Sequence, residues 1–231
     1  MSSYDYDDAA ARFKVPVYQN ALASFADISG FKLEGTAKIE FPNGRLRLSS
    51  VLDPALGQAA NYVYWCDKLF PSDVLIEWDF TPLAESGLCI MFFSAMNCQG
   101  GSVFEAAPRT GSYEQYHSGD INAFHVSYYR LIPILRDGER LRTCNLRKSK
   151  GFFMVAQGGD PIPELTLCKP PFRISIIKNG PLIAFYIDSI LCFVYYDDGL
   201  SYGPLLGGGH AGFRQMSPMV GEYANLRVFT L

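Results

Sequence analysis

The sequence lacks several features that would place it in a common functional class. Its formal net charge is only -3, so no excess of positive charge favours nucleic acid or an anionic membrane as a partner. No apolar run reaches the roughly 18 residues that a membrane-spanning helix needs. The N-terminus carries early aspartates and no basic segment followed by an apolar one, so no secretory signal is predicted. We therefore expect a cytoplasmic protein, and its oligomeric state stays open.

The cysteines lack a metal-binding or redox pattern. No C-x-x-C pair occurs, and no histidine lies at zinc-finger spacing from a cysteine. Several cysteines lie within apolar runs such as GLCIMFF and ILCFVYY. We therefore expect buried free thiols, and the sequence predicts neither a metal nor a cofactor.

Helical periodicity is nearly absent, whereas segments with strand chemistry, such as VLIEWDFTP and FRISIIKNG, recur between turn residues. A PNG turn between TAKIEF and RLRLSS predicts a hairpin, because Asn43 and Gly44 tolerate positive φ. The one plausible helix is QNALASFADISG, within an N-terminal extension over residues 1–30. We therefore predict an all-β protein in which residues 1–231 form a single jelly-roll sandwich domain of two antiparallel sheets.

The segment NAFHVSYYR shows period-two alternation. Its even-numbered side chains are apolar, and its odd-numbered side chains are mostly polar and include His125 and Tyr129. The even positions are expected in the core, and the odd positions are expected to line a groove on a concave sheet. Histidine, serine, tyrosine and arginine there would bind hydroxyls and carboxylates. The pattern therefore favours a sugar chain as the ligand, particularly an acidic oligosaccharide or polysaccharide.

The candidate site residues concentrate around this strand, in YEQYHSGDINAFHVSYYR, and continue in CNLRKSKG and GFRQM. The third histidine, His210 in LGGGHAG, is expected to be plain loop. The candidate catalytic residues are His117, His125 and Tyr129. The candidate substrate-binding residues are Arg109, Tyr113, Tyr116, Asp120, Asn122, Arg130, Arg147 and Arg214.

β-Elimination beside a uronate carboxylate fits these residue types best. The reaction needs a base, a proton donor to the leaving oxygen, and a cation or amide that neutralises the carboxylate. The candidates are His117 or His125 as the base, Tyr129 or Tyr113 as the acid, Arg109, Arg130 or Arg147 as the clamp, and Asn122 as an aid. The motifs of jelly-roll lyases are missing, so the likeness is one of residue kinds only.

Other functions remain open from the sequence. A non-catalytic, lectin-like module would use the same tyrosines to stack on sugar rings. Hydrolysis would need two carboxylates about 5 Å apart, and IEWDFTP offers Glu77 and Asp79 at strand alternation without the third acid of the glucanase pattern. A calcium site at Asp120, or at Asp197 and Asp198, is a minority alternative, because Asp-Asp-Gly is usually a turn.

Several longer blocks carry a family resemblance. From about residue 60 to the end, the blocks GLCIMFFSA, SGDIN, SYYR, NLRKS and GFRQM resemble the YesU-like family of concanavalin A-like jelly-roll proteins, a domain of unknown function. The resemblance implies a lectin- or glucanase-type sandwich. Genes of family members tend to lie beside genes for pectin and rhamnogalacturonan degradation, which implies an acidic plant cell-wall oligosaccharide as ligand. The family supplies no catalytic residues to carry over.

Overall fold

The computed structural model describes residues 4–85, 87–130 and 141–231, and strands dominate this part of the chain. The strands are β1 (Val15–Asn20), β2 (Lys32–Gly35), β3 (Ala37–Glu40), β4 (Leu46–Ser50), β5 (Tyr62–Trp65), β6 (Val74–Pro82), β7 (Leu88–Asn97), β8 (Ile121–Tyr128), β9 (Thr143–Ser149), β10 (Phe153–Gly159), β11 (Phe172–Asn179), β12 (Leu182–Ile187), β13 (Ile190–Tyr196), β14 (His210–Met216) and β15 (Val220–Thr230). The helices are α1 (Tyr6–Ala10) and α2 (Glu114–His117), with 3₁₀ helices at Pro42–Gly44, Pro54–Ala60 and Val103–Glu105.

The strands form two antiparallel sheets. An eight-stranded sheet has the order β13-β12-β11-β6-β15-β4-β3, with β1 also paired to β15. A seven-stranded sheet has the order β10-β9-β8-β7-β14-β5-β2. Consecutive strands such as β6 and β7 lie in different sheets, so the chain crosses repeatedly between the two layers, as in a jelly roll. The predicted all-β, two-sheet sandwich is confirmed.

The main core lies between the two sheets. From the eight-stranded sheet, β6 contributes Trp78 and Phe80, and from the seven-stranded sheet, β8 contributes Val126 and Tyr128. Trp78 Nε1 donates to Tyr128 Oη at 3.1 Å, so the one polar group of the buried indole has a partner. Because alternate residues of these strands face the core, the residues between them point outward from each sheet.

The predicted PNG hairpin is present. β3 pairs with β4 in antiparallel register, and the turn between them places Asn43 at φ 58° and Gly44 at φ 65°. This left-handed backbone is accessible to asparagine and glycine at low cost. The turn chemistry therefore positioned this hairpin correctly.

The predicted helix in QNALASFADISG is wrong. The segment begins in β1 and then turns, because polar side chains bond the local backbone and compete with helix formation. Asn20 Oδ1 accepts from Leu22 N at 2.8 Å, and Asp27 Oδ2 accepts from Ala23 N at 2.9 Å. The short helix α1 lies earlier, where the Asp5 carboxylate caps its N-terminus.

The cysteines and the helices can be compared with the sequence predictions. All six cysteines are free thiols, of which Cys66, Cys89 and Cys144 are buried and the others are partly exposed. Across the described ranges, no helix is long and apolar enough to cross a membrane.

Candidate functional site

The candidate site lies on the outer face of the seven-stranded sheet. Phe124, Val126 and Tyr128 of β8 enter the main core, so His125 and Ser127 point outward, as the alternation predicted. His125 is paired with Arg147 of β9 on one side and with Phe92 of β7 on the other. The register therefore sets a histidine beside an arginine on one face.

His125 is a buried, neutral base at the centre of this face. Its side chain is 1% exposed, because the segment that contains α2 covers it. Nε2 lies 2.8 Å from Tyr113 Oη, and Nδ1 has no hydrogen-bond partner in the described residues. Burial lowers the pKa of His125 well below its ordinary value of 6.5, and the nearby Arg147 and Arg214 lower it further. The imidazole is therefore uncharged at neutral pH.

Tyr113 covers His125 and links it to the surface. Its ring lies 5.6 Å from the His125 ring, 5.0 Å from the His117 ring and 5.5 Å from the Phe152 ring. Burial raises the pKa of Tyr113 to about 12, although Arg214 and other arginines act in the opposite direction. Tyr113 is therefore a protonated phenol that can donate a hydrogen bond outward or to His125.

His117 and Phe152 form the rim of this site. Their rings lie 4.1 Å apart, and Gly151 N donates to the His117 carbonyl at 2.7 Å, which ties the β9–β10 turn to α2. Partial burial lowers the pKa of His117 below 6.5, and Glu114 opposes that shift. Phe152 is 39% exposed, so an aromatic surface faces solvent beside the histidine.

Three arginines surround Tyr113. Arg147 packs its guanidinium 4.0 Å from the Phe152 ring, and buried Arg214 lies 4.9 Å from the Tyr113 ring. Arg130 is partly exposed, and its charge acts on the Tyr113 hydroxyl. Within the described residues, none of the three arginines forms a salt bridge. Positive charge is thus gathered on this face, and no carboxylate of the described residues lies within salt-bridge distance of it.

Two amide side chains extend the polar surface from β9 to β10. The Asn145 side-chain amide lies 2.7 Å from Gln157 Nε2. When the Asn145 amide oxygen faces Arg130, it accepts a hydrogen bond from Arg130 Nη1 at 2.7 Å. Gln157 is exposed, whereas Asn145 is 2% exposed. The amides therefore orient Arg130 and add hydrogen-bonding groups suited to hydroxyls.

The structure corrects the placement of Tyr129. The sequence pattern set it on the groove face, but Tyr129 has φ 51°, so the chain turns after β8 and the ring enters the main core beside Phe80. Its Oη has no hydrogen-bond partner in the described part of the chain, and the Arg142 guanidinium lies 4.2 Å from its ring. Tyr129 therefore does not face the same ligand as His125.

Arg109 and Tyr116 belong to a separate buried network built on Glu34 of β2. Arg109 donates to the Glu34 carboxylate at 2.6 and 3.0 Å, Tyr116 Oη donates at 2.8 Å, and Trp65 Nε1 donates at 2.9 Å. Arg109 is 8% exposed and Tyr116 is fully buried. This carboxylate holds the covering segment onto the sheet, so these two predicted ligand contacts have a structural role.

Asp120 and Asn122 also serve local structure. Asp120 Oδ2 accepts from Ala107 N at 2.6 Å, and Asn122 Oδ1 accepts from Lys150 N at 3.3 Å. A depression of about 390 Å³ lies next to Asp120 and Lys150, at the side of the covering segment. These residues thus shape an adjacent surface and are not brought to the Tyr113 hydroxyl.

The carboxylates proposed for hydrolysis lie on the outer face of the other sheet. Glu77 is 6% exposed and contacts Tyr6 of α1, while Arg227 Nη2 lies 3.3 Å from Glu77 Oε2. Asp79 accepts from Asn225 Nδ2 at 2.7 Å. Because α1 covers Glu77, this pair does not present two free carboxylates to a sugar.

The aspartates of YYDDG also have protein partners. Asp197 is 2% exposed and accepts from Lys148 Nζ at 2.7 and 2.9 Å. Asp198 accepts hydrogen bonds from the Ser201 hydroxyl and from the backbone N–H groups of Leu200 and Ser201, and these bonds lower its pKa to about 2. In the residues described, no cluster of three or more histidine, cysteine or acidic side chains could hold a metal ion.

Sequence reasoning missed three residues of the site: Phe152, Asn145 and Gln157. Asn145 and Arg147 alternate with Leu146 in CNLRKS, and that alternation would have placed them on the face of His125 once β9 was known to pair with β8. No local signal places Phe152 at the rim, because its φ of 59° comes from the turn into β10.

Comparison with known proteins identifies relatives of the whole chain. The family described as "Domain of unknown function (DUF1961)" matches residues 15–228. The uncharacterized protein YesU of Bacillus subtilis (strain 168) is 40% identical over 214 residues, which cover 92% of this chain and 94% of YesU.

Solved structures share the fold. A crystal structure of a protein of unknown function with a galectin-like fold from Bacillus subtilis has a TM-score of 0.87 and 39% identity, over 94% of this chain and 97% of that chain. The carbohydrate binding module CBM66 from Bacillus subtilis has a TM-score of 0.53 and 12% identity, over 87% of this chain and 96% of that chain. At such low identity, the second likeness shows the fold alone.

Proposed function

The chain belongs to the DUF1961 family, as its sequence blocks predicted, and on that premise we propose that it binds an acidic oligosaccharide on the outer face of its seven-stranded sheet. The ligand is a uronate-containing fragment of the pectin or rhamnogalacturonan type. Arg130 and Arg147 pair with its carboxylate, and the rings of Tyr113 and Phe152 contact the sugar.

One observation carries this proposal: three arginines lie around Tyr113 without a salt bridge in the described residues. Elsewhere, Arg47, Arg109 and Arg142 each pair with a glutamate. Gathering like charges without a counter-ion is unfavourable, and a carboxylate bound at Arg130 and Arg147 would relieve it through charge-assisted hydrogen bonds. An anionic ligand accounts for the arrangement better than a neutral one does.

The aromatic rim supports a sugar rather than a small inorganic anion. Phe152 and Tyr113 present apolar surface next to the arginines, and Gln157 presents an amide. Pyranose rings have apolar faces and polar edges, so they match a surface that combines rings with hydrogen-bonding groups. That CBM66 has a related fold is consistent with a sugar-binding role for such a sandwich.

Calorimetry with oligogalacturonides tests the proposal. We expect the protein to bind a uronate oligosaccharide, to bind a neutral oligosaccharide of the same length at least tenfold more weakly, and to lose affinity as salt increases. Equal affinity for the charged and neutral sugars would refute the role of the arginines. Absence of binding to either sugar would refute the proposed function.

A second candidate function is β-elimination at the same site, and the hydrogen bond between Tyr113 and neutral His125 favours it. Tyr113 would pass its proton to His125 Nε2 and remove the proton beside a carboxylate that Arg147 neutralises. Tyr113 would then deliver that proton to the departing glycosidic oxygen, and His125 would return the first proton to Tyr113. Elimination would produce a conjugated double bond with a rise in ultraviolet absorbance and no gain of water in product mass. Binding without either change would leave the lectin-like role and refute elimination.

A further inference from the structure

Ser102 and His210 form a hydrogen-bonded pair outside the site described above. Ser102 Oγ lies 2.9 Å from His210 Nε2. Ser102 precedes the 3₁₀ helix at Val103–Glu105, and His210 is the first residue of β14. The sequence predicted plain loop for His210, so the chemistry of this pair arises only from the fold.

The hydrogen bonds of His210 set its orientation. Nδ1 lies 3.4 Å from the Cys66 carbonyl oxygen, which can only accept a hydrogen bond. The proton of the neutral ring therefore lies on Nδ1, and the Nε2 lone pair faces the Ser102 hydroxyl. Ser102, His210 and the Cys66 carbonyl thus form a chain of nucleophile, base and an acceptor that orients the base. Serine hydrolases use the same chain of contacts.

The surroundings keep His210 neutral and therefore able to accept a proton. Its side chain is 3% exposed, and the Phe104 ring packs 4.7 Å from the imidazole. Burial lowers the pKa of His210 below 6.5, while its backbone acceptors and Asp67 limit the shift. At neutral pH the imidazole is consequently available as a general base.

Glycines bring the two side chains together and leave access to the serine. A Cβ at Gly209 would lie 2.5 Å from Ala95 N, so only glycine lets the loop before β14 pack this closely against β7. Ser102 is partly exposed. The serine side chain is therefore reachable from solvent.

We propose that Ser102 and His210 are the nucleophile and the general base of an esterase site. Ser102 Oγ attacks the acyl carbon while its proton moves to His210 Nε2. The ester C–O bond then breaks, and the same proton passes to the departing alcohol oxygen. Water, activated by His210, hydrolyses the acyl-serine and restores the free hydroxyl.

A second contact of the hydroxyl supports this chemistry. Phe104 N donates to Ser102 Oγ at 3.2 Å. A hydrogen bond to the oxygen favours its negatively charged form as the proton leaves. The same contact caps the 3₁₀ helix, so replacing Ser102 with alanine also removes a structural hydrogen bond. Glycine is better tolerated than alanine at such capping positions, so Ser102→Gly is the cleaner variant.

The chain contains a matched control. Ser118 Oγ lies 2.7 Å from His117 Nδ1, but that serine is exposed and adjacent to its histidine in sequence. Ser118→Ala therefore removes a serine hydroxyl with the same kind of partner, outside the proposed esterase site.

The test uses the full chain, a fluorophosphonate probe and p-nitrophenyl acetate. We expect the probe to phosphonylate Ser102, with loss of fluoride, in the wild type and in Ser118→Ala. The rate of ester hydrolysis is expected to fall about 100-fold in Ser102→Gly and in His210→Gln, which is the lower end of the rate contribution of a positioned general base. The wild-type rate is expected to fall as pH decreases through the pKa of His210. The proposal is overturned if mass spectrometry finds no adduct on Ser102, or if Ser102→Gly hydrolyses the ester at the wild-type rate.

Discussion

Tyr113 Oη lies 2.8 Å from His125 Nε2, and this contact joins a partly exposed phenol to a buried imidazole. His125 is 1% exposed, so a ligand on the outer face of the seven-stranded sheet meets the tyrosine hydroxyl rather than the histidine ring. Any effect of His125 on such a ligand would therefore pass through Tyr113.

Tyr113→Phe is expected to destabilise the protein by about 1–3 kcal/mol, because it leaves the buried His125 without its hydrogen-bond partner. Affinity for oligogalacturonide is expected to change less than tenfold, since the aromatic ring remains. Urea unfolding and calorimetry measure the two effects. Tyr196→Phe, at a tyrosine that is 66% exposed, is the control and should leave stability unchanged. Equal stability of both variants would contradict the role of the Tyr113–His125 contact.

Arg147→Met is expected to weaken uronate binding by about 10- to 100-fold, the loss of one charge-assisted interaction, while the protein stays folded. Methionine can keep contact with the Phe152 ring, and it removes the charge together with the hydrogen bond that Arg147 Nη1 donates to the Phe152 carbonyl at 3.0 Å. Arg173→Met on the eight-stranded sheet removes an exposed arginine from the opposite face and serves as the control. Calorimetry at low and physiological salt makes the comparison, and equal losses in the two variants would show that the effect is general electrostatics.

Local pattern predicted most of the strands and the facing of β8, because alternation and turn residues are local properties. It placed His125 outward and the Asn43–Gly44 hairpin correctly. It failed at Tyr129, whose own positive φ turns its side chain into the core, on the same side as Tyr128. It also missed β5, whose residues are all buried, so that no polar alternation marks the strand.

The site depends on pairings that sequence proximity does not reveal. Arg109 and Tyr116 lie close to His117 in sequence, yet Glu34 of β2 binds both and removes them from the surface. Arg147 reaches the same face as His125 because β9 pairs with β8 in one particular register. A shift of one residue would have placed Lys148 there instead. Register and long-range ion pairs are set by the whole fold, so local sequence patterns cannot supply them.

His125 is expected to make stability depend on pH. Its pKa is lowered in the folded protein, so below about pH 6.5 the unfolded chain binds the proton more readily, and stability falls as pH decreases towards the folded-state pKa. His125→Gln should therefore show a smaller loss of unfolding free energy between pH 7.5 and pH 5.5 than the wild type. For each proton that the unfolded chain binds and the folded protein does not, the free energy of unfolding changes by up to about 1.4 kcal/mol per pH unit. Identical pH slopes in urea unfolding would contradict the buried, neutral state of His125.

Asp197→Asn is expected to destabilise the protein by about 3–5 kcal/mol, because it leaves the ammonium of Lys148 buried without its carboxylate. Both side chains are 2% exposed, and the Gly203 carbonyl is the remaining acceptor for Lys148 Nζ at 2.9 Å. Asp198→Asn changes the neighbouring, exposed aspartate and should leave stability nearly unchanged. Chemical denaturation distinguishes the two positions. A small effect at Asp197 would show that the ion pair is not needed to hold the loop that follows β13.

Gly209→Ala is expected to destabilise the protein by about 1–3 kcal/mol through overpacking. The added methyl would lie 2.5 Å from the backbone of Ala95, and Gly209 is also tied to Phe70 by backbone hydrogen bonds of 2.9 and 3.0 Å. The backbone therefore cannot move aside without breaking those bonds. Gly207→Ala, two residues earlier, meets no atom within 4 Å and should be neutral or slightly stabilising. Thermal unfolding of the two variants measures the difference, and equal midpoints would mean that the start of β14 can shift away from β7, so that close packing there does not depend on glycine.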